Sequence, residues 1–202
     1  MTQTLRSDAR DNRERIIAAA RLTFANEGLD VPMREIARRA GVGPATLYRR
    51  FPTKEALMAE AFGEQMISCT TAVEAGLAEP DPWRGFCRVI EEVCEIHALD
   101  RGFTAAFISA FPRAMDFEAS RDYALRSMGE LARRAKAAGK LRADFVLDDL
   151  ILVIMANGGI RATSPAAAVA ASRRFAALII RSFAADPTED QLPPPVRLPL
   201  LR

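Results

Sequence analysis

Several side chains that suit contact with nucleic acid follow one another in the stretch PATLYRRFPTK. Arg49 carries a guanidinium group, which can donate two parallel hydrogen bonds to the major-groove edge of guanine. Thr46 and Tyr48 carry hydroxyl groups of the kind that contact phosphate oxygens. Arg50 and Lys54 add positive charge, which the phosphate backbone attracts. The chemistry that this stretch predicts is contact with duplex DNA.

Positive charge is concentrated around this stretch and is not a property of the whole chain. Residues 33–54 contain six basic side chains against one acid, Glu35, whereas the 202-residue chain has a net charge of only +2. A short basic segment in a nearly neutral protein indicates an anionic partner for that segment alone. The basic side chains are Arg34, Arg38, Arg39, Arg49, Arg50 and Lys54.

A helix, a tight corner and a second helix are expected to position these side chains. Ala37 is small enough for two helices to cross closely, and Gly41, four residues later, can adopt the positive φ that the corner needs. Pro44 then opens the second helix, where its missing N–H costs little. This spacing predicts a helix-turn-helix over residues 33–52.

The two faces of the second helix follow from a turn of about 100° per residue. If Leu47 and Phe51 point into the protein, Ala45 and Arg49 point out of it. Arg50 lies nearer the seam and is expected to reach a backbone phosphate. The predicted DNA-binding residues are Pro44, Ala45, Thr46, Tyr48, Arg49, Arg50 and Lys54.

The same spacing has a second interpretation, a tight helical hairpin with a basic, solvated face that binds no DNA. Helix-turn-helix spacing by itself is a moderate signal. The concentration of positive charge and the continuation Tyr-Arg-Arg-Phe-Pro-x-Lys favour DNA binding over the hairpin.

The rest of the chain is also predicted to be helical, which makes the fold all-α. Apolar residues recur at helical spacing, strand-like alternation is nowhere sustained, and glycine and proline fall between the periodic segments. Asp144 and Ser164 are predicted caps of the last two helices. The predicted helices span residues 10–27, 33–40, 44–51, 54–77, 83–98, 103–111, 117–138, 145–159 and 165–185.

The stretch IIAAARLTFANEGLDVPMREIARRAGVGPATLYRRFPTKEALMAEAF, Ile16 to Phe62, resembles the N-terminal DNA-binding domain of the TetR family of transcriptional regulators. The resemblance implies a three-helix head, residues 1–53, and an all-helical body for ligand binding and dimerisation, residues 54–185. A proline-rich tail, residues 186–202, is expected to be disordered or extended. Ala132 to Ile154 resembles, more weakly, the body of the SbtR-like subgroup.

By position, the resemblance makes Pro44 to Arg50 the recognition helix. Tyr48 and Lys54 match the usual phosphate-contacting tyrosine and lysine of the family. Two positions depart from the common pattern. Arg50 stands where many relatives have histidine, and Pro32 stands where many have a hydroxyl residue, which puts a cap and contact there in doubt.

The second half of the chain predicts a homodimer through its two C-terminal helices. Two heads on a two-fold axis are needed to hold a palindromic site firmly. Residues 150–156 are apolar on every side, so one face can pack internally while another contacts a partner. The alternative is that both helices are buried within a monomer. The last helix adds Phe175, Leu178, Ile179 and Phe183.

Large apolar side chains in the body predict either an ordinary core or the wall of a ligand cavity. An aromatic cavity suits a flat or hydrophobic small molecule better than a sugar phosphate. His97, the only histidine, is expected to be packed or hydrogen-bonded rather than a ligand contact. The candidate wall residues are Trp83, Phe86, Phe103, Phe107, Phe111 and Met128.

The sequence lacks the motifs that are typical of several other classes of protein. There is no G-x-S-x-G, no phosphate-cradling glycine loop and no cysteine or histidine set at metal-binding spacing, so we expect no enzyme, metal or cofactor. Cys69, Cys87 and Cys94 are expected to be reduced core residues. No apolar run reaches the length of a membrane span, and no secretory h-region is apparent, which predicts a cytoplasmic protein.

Together these features predict a ligand-responsive transcriptional regulator. It would bind a palindromic operator as a homodimer and be released by a small apolar or aromatic effector. Repression is the expected mode, and activation stays open. The alternatives from other classes are an architectural DNA-binding protein that needs no ligand and a helical partner protein that binds no DNA.

Overall fold

The computed structural model describes residues 2–109 and 115–185. Within these residues the fold is all-α, as predicted, apart from an isolated antiparallel bridge between Leu141 and Ala184. No helix in the described ranges is long and apolar enough to cross a membrane. The helices are α1 (Thr2–Glu27), α2 (Met33–Arg39), α3 (Pro44–Arg50), α4 (Lys54–Ala78), α5 (Pro82–Leu99), α6 (Arg101–Ile108), α7 (Met115–Ala137), α8 (Leu147–Gly158) and α9 (Pro165–Phe183).

Two helix starts differ from the prediction. α1 begins at Thr2, several residues earlier than expected, because no proline or glycine interrupts the polar stretch. α8 begins at Leu147, and its N-cap is Val146 rather than Asp144. The carboxylate of Asp149 accepts the Val146 N–H at 3.1 Å and so satisfies this end of the helix.

Other boundaries agree with the prediction to within a few residues. The predicted cap Ser164 accepts the N–H three residues later at 3.2 Å, and Thr53 does the same at the start of α4, at 3.1 Å. α6 ends at Ile108 with Ser109 as its C-cap, earlier than the predicted end at Phe111, and the predicted tail, residues 186–202, lies outside the described residues.

The first three helices share a core, which fixes α2 and α3 on α1. Ile16, Ala20 and Phe24 repeat on one face of α1 and are buried. They belong to the same apolar cluster as Ile36 of α2 and Leu47 of α3, both of which are fully buried. These three helices form the head of the molecule.

α5 is the central helix of the body, and α4 connects the body with the head. α5 packs against α4, α7, α8 and α9. Phe86 on its inner face contacts the rings of Phe145 and Phe183, at centroid distances of 5.3 and 6.2 Å. α4 packs against α1 of the head and against α5 and α7 of the body. α4 is therefore shared by the head and the body.

A polar joint ties α1, α4 and α6 together. The Arg21 guanidinium of α1 donates to the Ala61 carbonyl of α4. Gln65 of α4 donates to the carboxylate of Asp100 at 3.1 Å, and Asp100 also caps α6 by accepting the Phe103 N–H at 2.9 Å. Burial raises the pKa of Asp100. The head is thus attached to the body through α6 as well as through α4.

Candidate nucleic-acid interface

The corner between α2 and α3 has the geometry that its sequence predicts. Gly41 has a φ of +65°, a region that favours glycine. Its N–H donates to the Arg38 carbonyl at 3.1 Å, and the Val42 N–H donates to the Ala37 carbonyl at 3.0 Å. These bonds satisfy the last carbonyls of α2 and set the direction in which α3 begins.

α3 anchors one side in the core and exposes the other. Leu47 is 0% exposed and Phe51 is 5% exposed, whereas Tyr48 is 49% exposed and Arg49 is exposed on the opposite side. The predicted division of this helix into two faces is confirmed, and contact with DNA stays a prediction. Of the other predicted contact residues, Pro44, Ala45 and Arg50 are exposed and Thr46 is half-buried.

Lys54 lies at the first position of α4 and has a role that the sequence did not reveal. Its ammonium donates to the Leu29 carbonyl at 2.9 Å, which ties the start of α4 to the segment after α1. The first-turn amides of α4, capped by Thr53, still give this end of the helix a partial positive charge that suits a phosphate. The phosphate contact of Lys54 stays a prediction.

The start of α2 lacks a hydroxyl cap, as the sequence indicates. Pro32 is the N-cap residue in an extended conformation, and no side chain accepts the first amides there. A hydroxyl-to-phosphate contact from this position is therefore absent from the candidate interface in the described residues.

Two arginines of α2 are paired with acids and contribute less positive charge than the sequence predicts. Arg38 donates to the Glu35 carboxylate, Arg39 donates to the same carboxylate at 2.7 Å, and Arg39 also bonds Glu27 of α1. The bonds from Arg38 and then Arg39 lower the pKa of Glu35 to about 2. Spacing of three and four residues along α2 is enough to predict that Glu35 pairs with Arg38 and Arg39. The pairing of Arg39 with Glu27 could not be predicted in this way, because Glu27 lies on another helix.

A small cavity in the body is bordered by two of the predicted ligand-contact residues. Its volume is about 20 Å3, room for about one water molecule, and Phe107 and Met128 are among its walls. The described structure does not bring the other candidates there. Trp83 stacks on Phe86 at 5.7 Å, Phe103 packs on the Phe62 ring at 6.2 Å, and Phe111 lies outside the described residues. The remaining walls are Cys69, Val73, Val89, Val93, Ala124, Leu125, Leu150 and Ile154.

An apolar surface is exposed on α8 and α9. Leu152 and Met155 of α8 are 48% and 44% exposed, and Leu178 of α9 is 52% exposed. Contact of these side chains with a second copy of the chain stays a prediction. Of the other predicted contact residues on α9, Phe183 is buried inside the subunit, and Phe175 and Ile179 are partly buried.

The cysteines are free thiols, and burial makes them poor nucleophiles. Burial raises the pKa of Cys69 and of Cys94 to about 12 and, with nearby acids, that of Cys87 to about 11. In the part of the chain that the structure describes, no group of three or more His, Cys, Asp or Glu side chains could hold a metal ion.

The glycine corner, the anchored short helix and the helical body define a helix-turn-helix protein. Residues 16–61 match the family model for bacterial regulatory proteins of the tetR family. An HTH-type transcriptional regulator of Staphylococcus aureus (strain USA300) is 43% identical over 54 residues, which are 26% of this chain and 29% of that protein. The match therefore spans less than a third of the length of this curated relative.

Solved structures match over most of the chain. The TetR transcription regulatory protein of Mycobacterium vanbaalenii is 32% identical, with a TM-score of 0.45, over 89% of this chain and 99% of that chain. The ketosteroid transcriptional regulator KstR2 of Mycobacterium tuberculosis shares the fold with a TM-score of 0.67 at 16% identity, over 86% and 95% of the two chains. The match of residues 16–61 to the family model identifies the chain as a member of the TetR family of bacterial regulatory proteins. The SbtR-like resemblance of the body stays a prediction.

Proposed function

We propose that the protein regulates transcription by binding an operator as a homodimer and releasing it when a small apolar effector enters the body. The observation that carries this proposal is the construction of α3, in which Leu47 and Phe51 are anchored in the core and Arg49 is exposed on the opposite side. Such a helix can enter a major groove without losing its own packing. Repression by occlusion of a promoter is the mode we expect.

α3 would read base edges with Arg49 and take its position from phosphate contacts. A bidentate arginine–guanine pair contributes about 1–3 kcal/mol of discrimination against other bases. The hydroxyls of Thr46 and Tyr48 and the guanidinium of Arg50 would contact phosphates on either side of the groove. Lys54, fixed by the Leu29 carbonyl, would hold a further phosphate at the start of α4.

The exposed apolar surface of α8 and α9 supports the homodimer. Burial of Leu152, Met155 and Leu178 against a second copy would form an interface of two helices from each subunit. A two-fold axis through this interface would present two heads to the same side of a duplex. The half-sites of the operator would then lie about 34 Å apart or slightly more.

The cavity supports an effector mechanism, because α4 contributes to its wall. Cys69 and Val73 of α4 border the cavity, and the same helix begins at the head. An effector larger than a single water molecule must separate α4 from the helices opposite, and we expect this to favour a state with the heads displaced. A coupling free energy of about 1–3 kcal/mol would lower operator affinity roughly 5- to 150-fold.

Selection of bound sites from random duplex DNA, with the full chain, tests the proposal. We expect an inverted repeat with a guanine in each half-site and with half-site centres about one helical turn apart or slightly more. Affinity for this site should fall steeply as the salt concentration rises. Enrichment of no common sequence would contradict operator recognition and favour an architectural DNA-binding protein. The lack of any binding would favour a helical partner protein.

A further inference from the structure

His97 is the only histidine of the chain and lies fully buried near the end of α5. The Phe103 ring stacks on it at a centroid distance of 4.7 Å, and the Phe107 ring meets it edge-on at 5.1 Å. Buried polar atoms in proteins nearly always have a hydrogen-bond partner. The Nε2 atom of His97 is buried and has none among the described residues.

The Thr104 hydroxyl lies within hydrogen-bond distance of one ring nitrogen of His97 and of two backbone carbonyls. The Thr104 hydroxyl donates to the carbonyl of His97 at 3.1 Å or to that of Asp100 at 3.2 Å. When the single hydrogen of this hydroxyl points to a carbonyl, the hydroxyl oxygen accepts the bond from His97 Nδ1, which lies 3.0 Å away, and we assign this tautomer because it satisfies a carbonyl as well as Nδ1. Nε2 is then unprotonated and can only accept. Burial lowers the pKa of His97 to about 3, so the ring is neutral near pH 7.

His97 adjoins the cavity of the body. Val93, one turn earlier on α5, borders the cavity, as does Phe107, whose ring contacts His97 directly. The residues that border the cavity have apolar side chains or, at Cys69, a thiol. Phe107 therefore lies between the cavity and the imidazole ring.

We propose that the effector is a neutral, largely apolar molecule with one hydrogen-bond donor, such as a hydroxyl group, which donates to Nε2 of His97. This inference rests on the proposed effector function and adds the chemistry of the polar contact. A carboxylate would not fit, because it has no hydrogen to donate and its charge would lose water in an apolar cavity. Thr104 is a positioning residue, since it keeps the ring proton on Nδ1.

Nitrogen NMR on the full chain tests the inference, because labelling histidine with 15N gives ring signals from His97 alone. The probes are p-cresol, which carries a hydroxyl, and p-xylene, which has nearly the same shape and no donor. We expect a protonated Nδ1 and an unprotonated Nε2 in the unbound protein. p-Cresol should shift the Nε2 signal upfield in a saturable manner, and p-xylene should leave it unchanged.

Two variants separate hydrogen bonding from simple filling of the cavity. In His97→Phe, which keeps an aromatic ring, the affinity for p-cresol relative to p-xylene should fall roughly 2- to 10-fold. In Thr104→Val the ring remains but its proton is no longer held on Nδ1, so the p-cresol shift of Nε2 should shrink. If His97→Phe does not fold, Thr104→Val provides the comparison.

Three results would overturn the inference. They are a protonated Nε2 in the unbound protein, an Nε2 signal that p-cresol does not move, and equal relative affinities in the wild type and His97→Phe. An Nε2 signal that is already hydrogen-bonded and stays unchanged would indicate a resident water molecule. None of these results bears on the operator, so failure of the inference is distinguishable from failure of the proposed function.

Discussion

Gly76 and Gly85 bring the backbones of α4 and α5 into contact where the two helices cross. A Cβ atom on Gly85 would lie 2.3 Å from the Gly76 carbonyl oxygen, and a Cβ atom on Gly76 would lie 2.4 Å from a methyl group of Val89. Both distances are too short for real atoms. Val89 and Val73 also border the cavity, within about one helical turn of the crossing. The crossing therefore sets the distance between two walls of the candidate effector site.

Gly85→Ala is expected to lower the free energy of unfolding by about 1–3 kcal/mol or more, because its methyl group must push the two backbones apart. Gly63→Ala, on α4, is the matched control, since its Cβ meets nothing within 4 Å. That change should raise the free energy of unfolding by about 0.5–1 kcal/mol through helix propensity. Urea unfolding followed by circular dichroism measures both. Equal stabilities for the two variants would show that the crossing is not tight.

Arg49→Ala is expected to weaken binding to the selected operator by about 1–3 kcal/mol and to relax base preference at one position of each half-site. Arg34→Ala is the control, because Arg34 is exposed on α2 rather than on α3. That variant should leave base preference intact. Fluorescence anisotropy with the operator and its single-base variants measures both effects. If Arg49→Ala lowered the affinity equally for every duplex, the result would argue against a base contact.

Glu35→Gln is expected to raise affinity for DNA of any sequence. The change breaks the ion pairs of Glu35 with Arg38 and Arg39, so more positive charge faces the phosphates. The slope of log affinity against log salt should steepen by about 0.9 for each added phosphate contact. Glu92→Gln, which breaks a similar pair with Arg88 on α5, should change neither quantity. An unchanged slope in Glu35→Gln would mean that this side of α2 lies away from DNA.

The corner and both faces of α3 could be predicted because their determinants lie within a few residues of one another. Gly41 is placed by the corner that follows α2, and its positive φ is a property of the local backbone. Leu47 and Phe51 are separated by about one helical turn, so they share a face in any helix. Once either of these side chains is buried in the core, Arg49 must lie on the opposite side of α3, which faces away from the core.

Contacts between distant segments could not be predicted in the same way. The pairing of Arg39 with Glu27 and the bond from Lys54 to Leu29 depend on how α1 lies against α2 and α4. The sequence predicts Asp144 as the cap of α8, which is wrong, because any acid near a helix start resembles a cap. In the structure Asp149 takes that role, held by Arg142 at 2.7 Å.

The size of the side chains predicts the candidate ligand residues, but size does not decide which side of a helix faces a cavity. Trp83 and Phe86 lie on the apolar face of α5, but Phe86 packs against Phe145 and Phe183, and Trp83 stacks on Phe86. Smaller residues such as Val73 border the cavity instead, because the crossing of α4 and α5 determines where space is left.

Stability is expected to fall as the pH drops below about 6.5 because of His97. In the unfolded chain its imidazole binds a proton below the ordinary pKa of 6.5, whereas burial lowers the pKa in the folded state to about 3. The unfolded state therefore binds more protons between these values. The free energy of unfolding should fall by up to about 1.4 kcal/mol per pH unit there, with no contribution from His97 at higher pH.

The range from about pH 6.5 to 5 isolates this effect. Glu35 and Glu130 have pKa values lowered to about 2 by arginine, so the stability that they contribute is lost only below their ordinary value of 4.5. Asp100, whose pKa is raised by burial, acts with the opposite sign in wild type and variant alike. Urea unfolding across this range should give a falling profile for the wild type and a flatter one for His97→Phe. Parallel profiles would show that His97 does not titrate as expected.

Met155→Glu is expected to convert the proposed dimer into a monomer, because dimerisation would bury a carboxylate in an apolar interface. Met155 is 44% exposed in the single subunit, so the fold of each chain should survive. Ile67→Glu is the matched control, since Ile67 is 67% exposed but lies on α4. Analytical ultracentrifugation should find a monomer for the first variant and a dimer for the second.

The monomer should also lose most of its operator affinity, because the two heads no longer bind as one unit. A variant that stays dimeric would place the interface elsewhere, and a loss of helicity would instead show that this face of α8 is needed within the monomer.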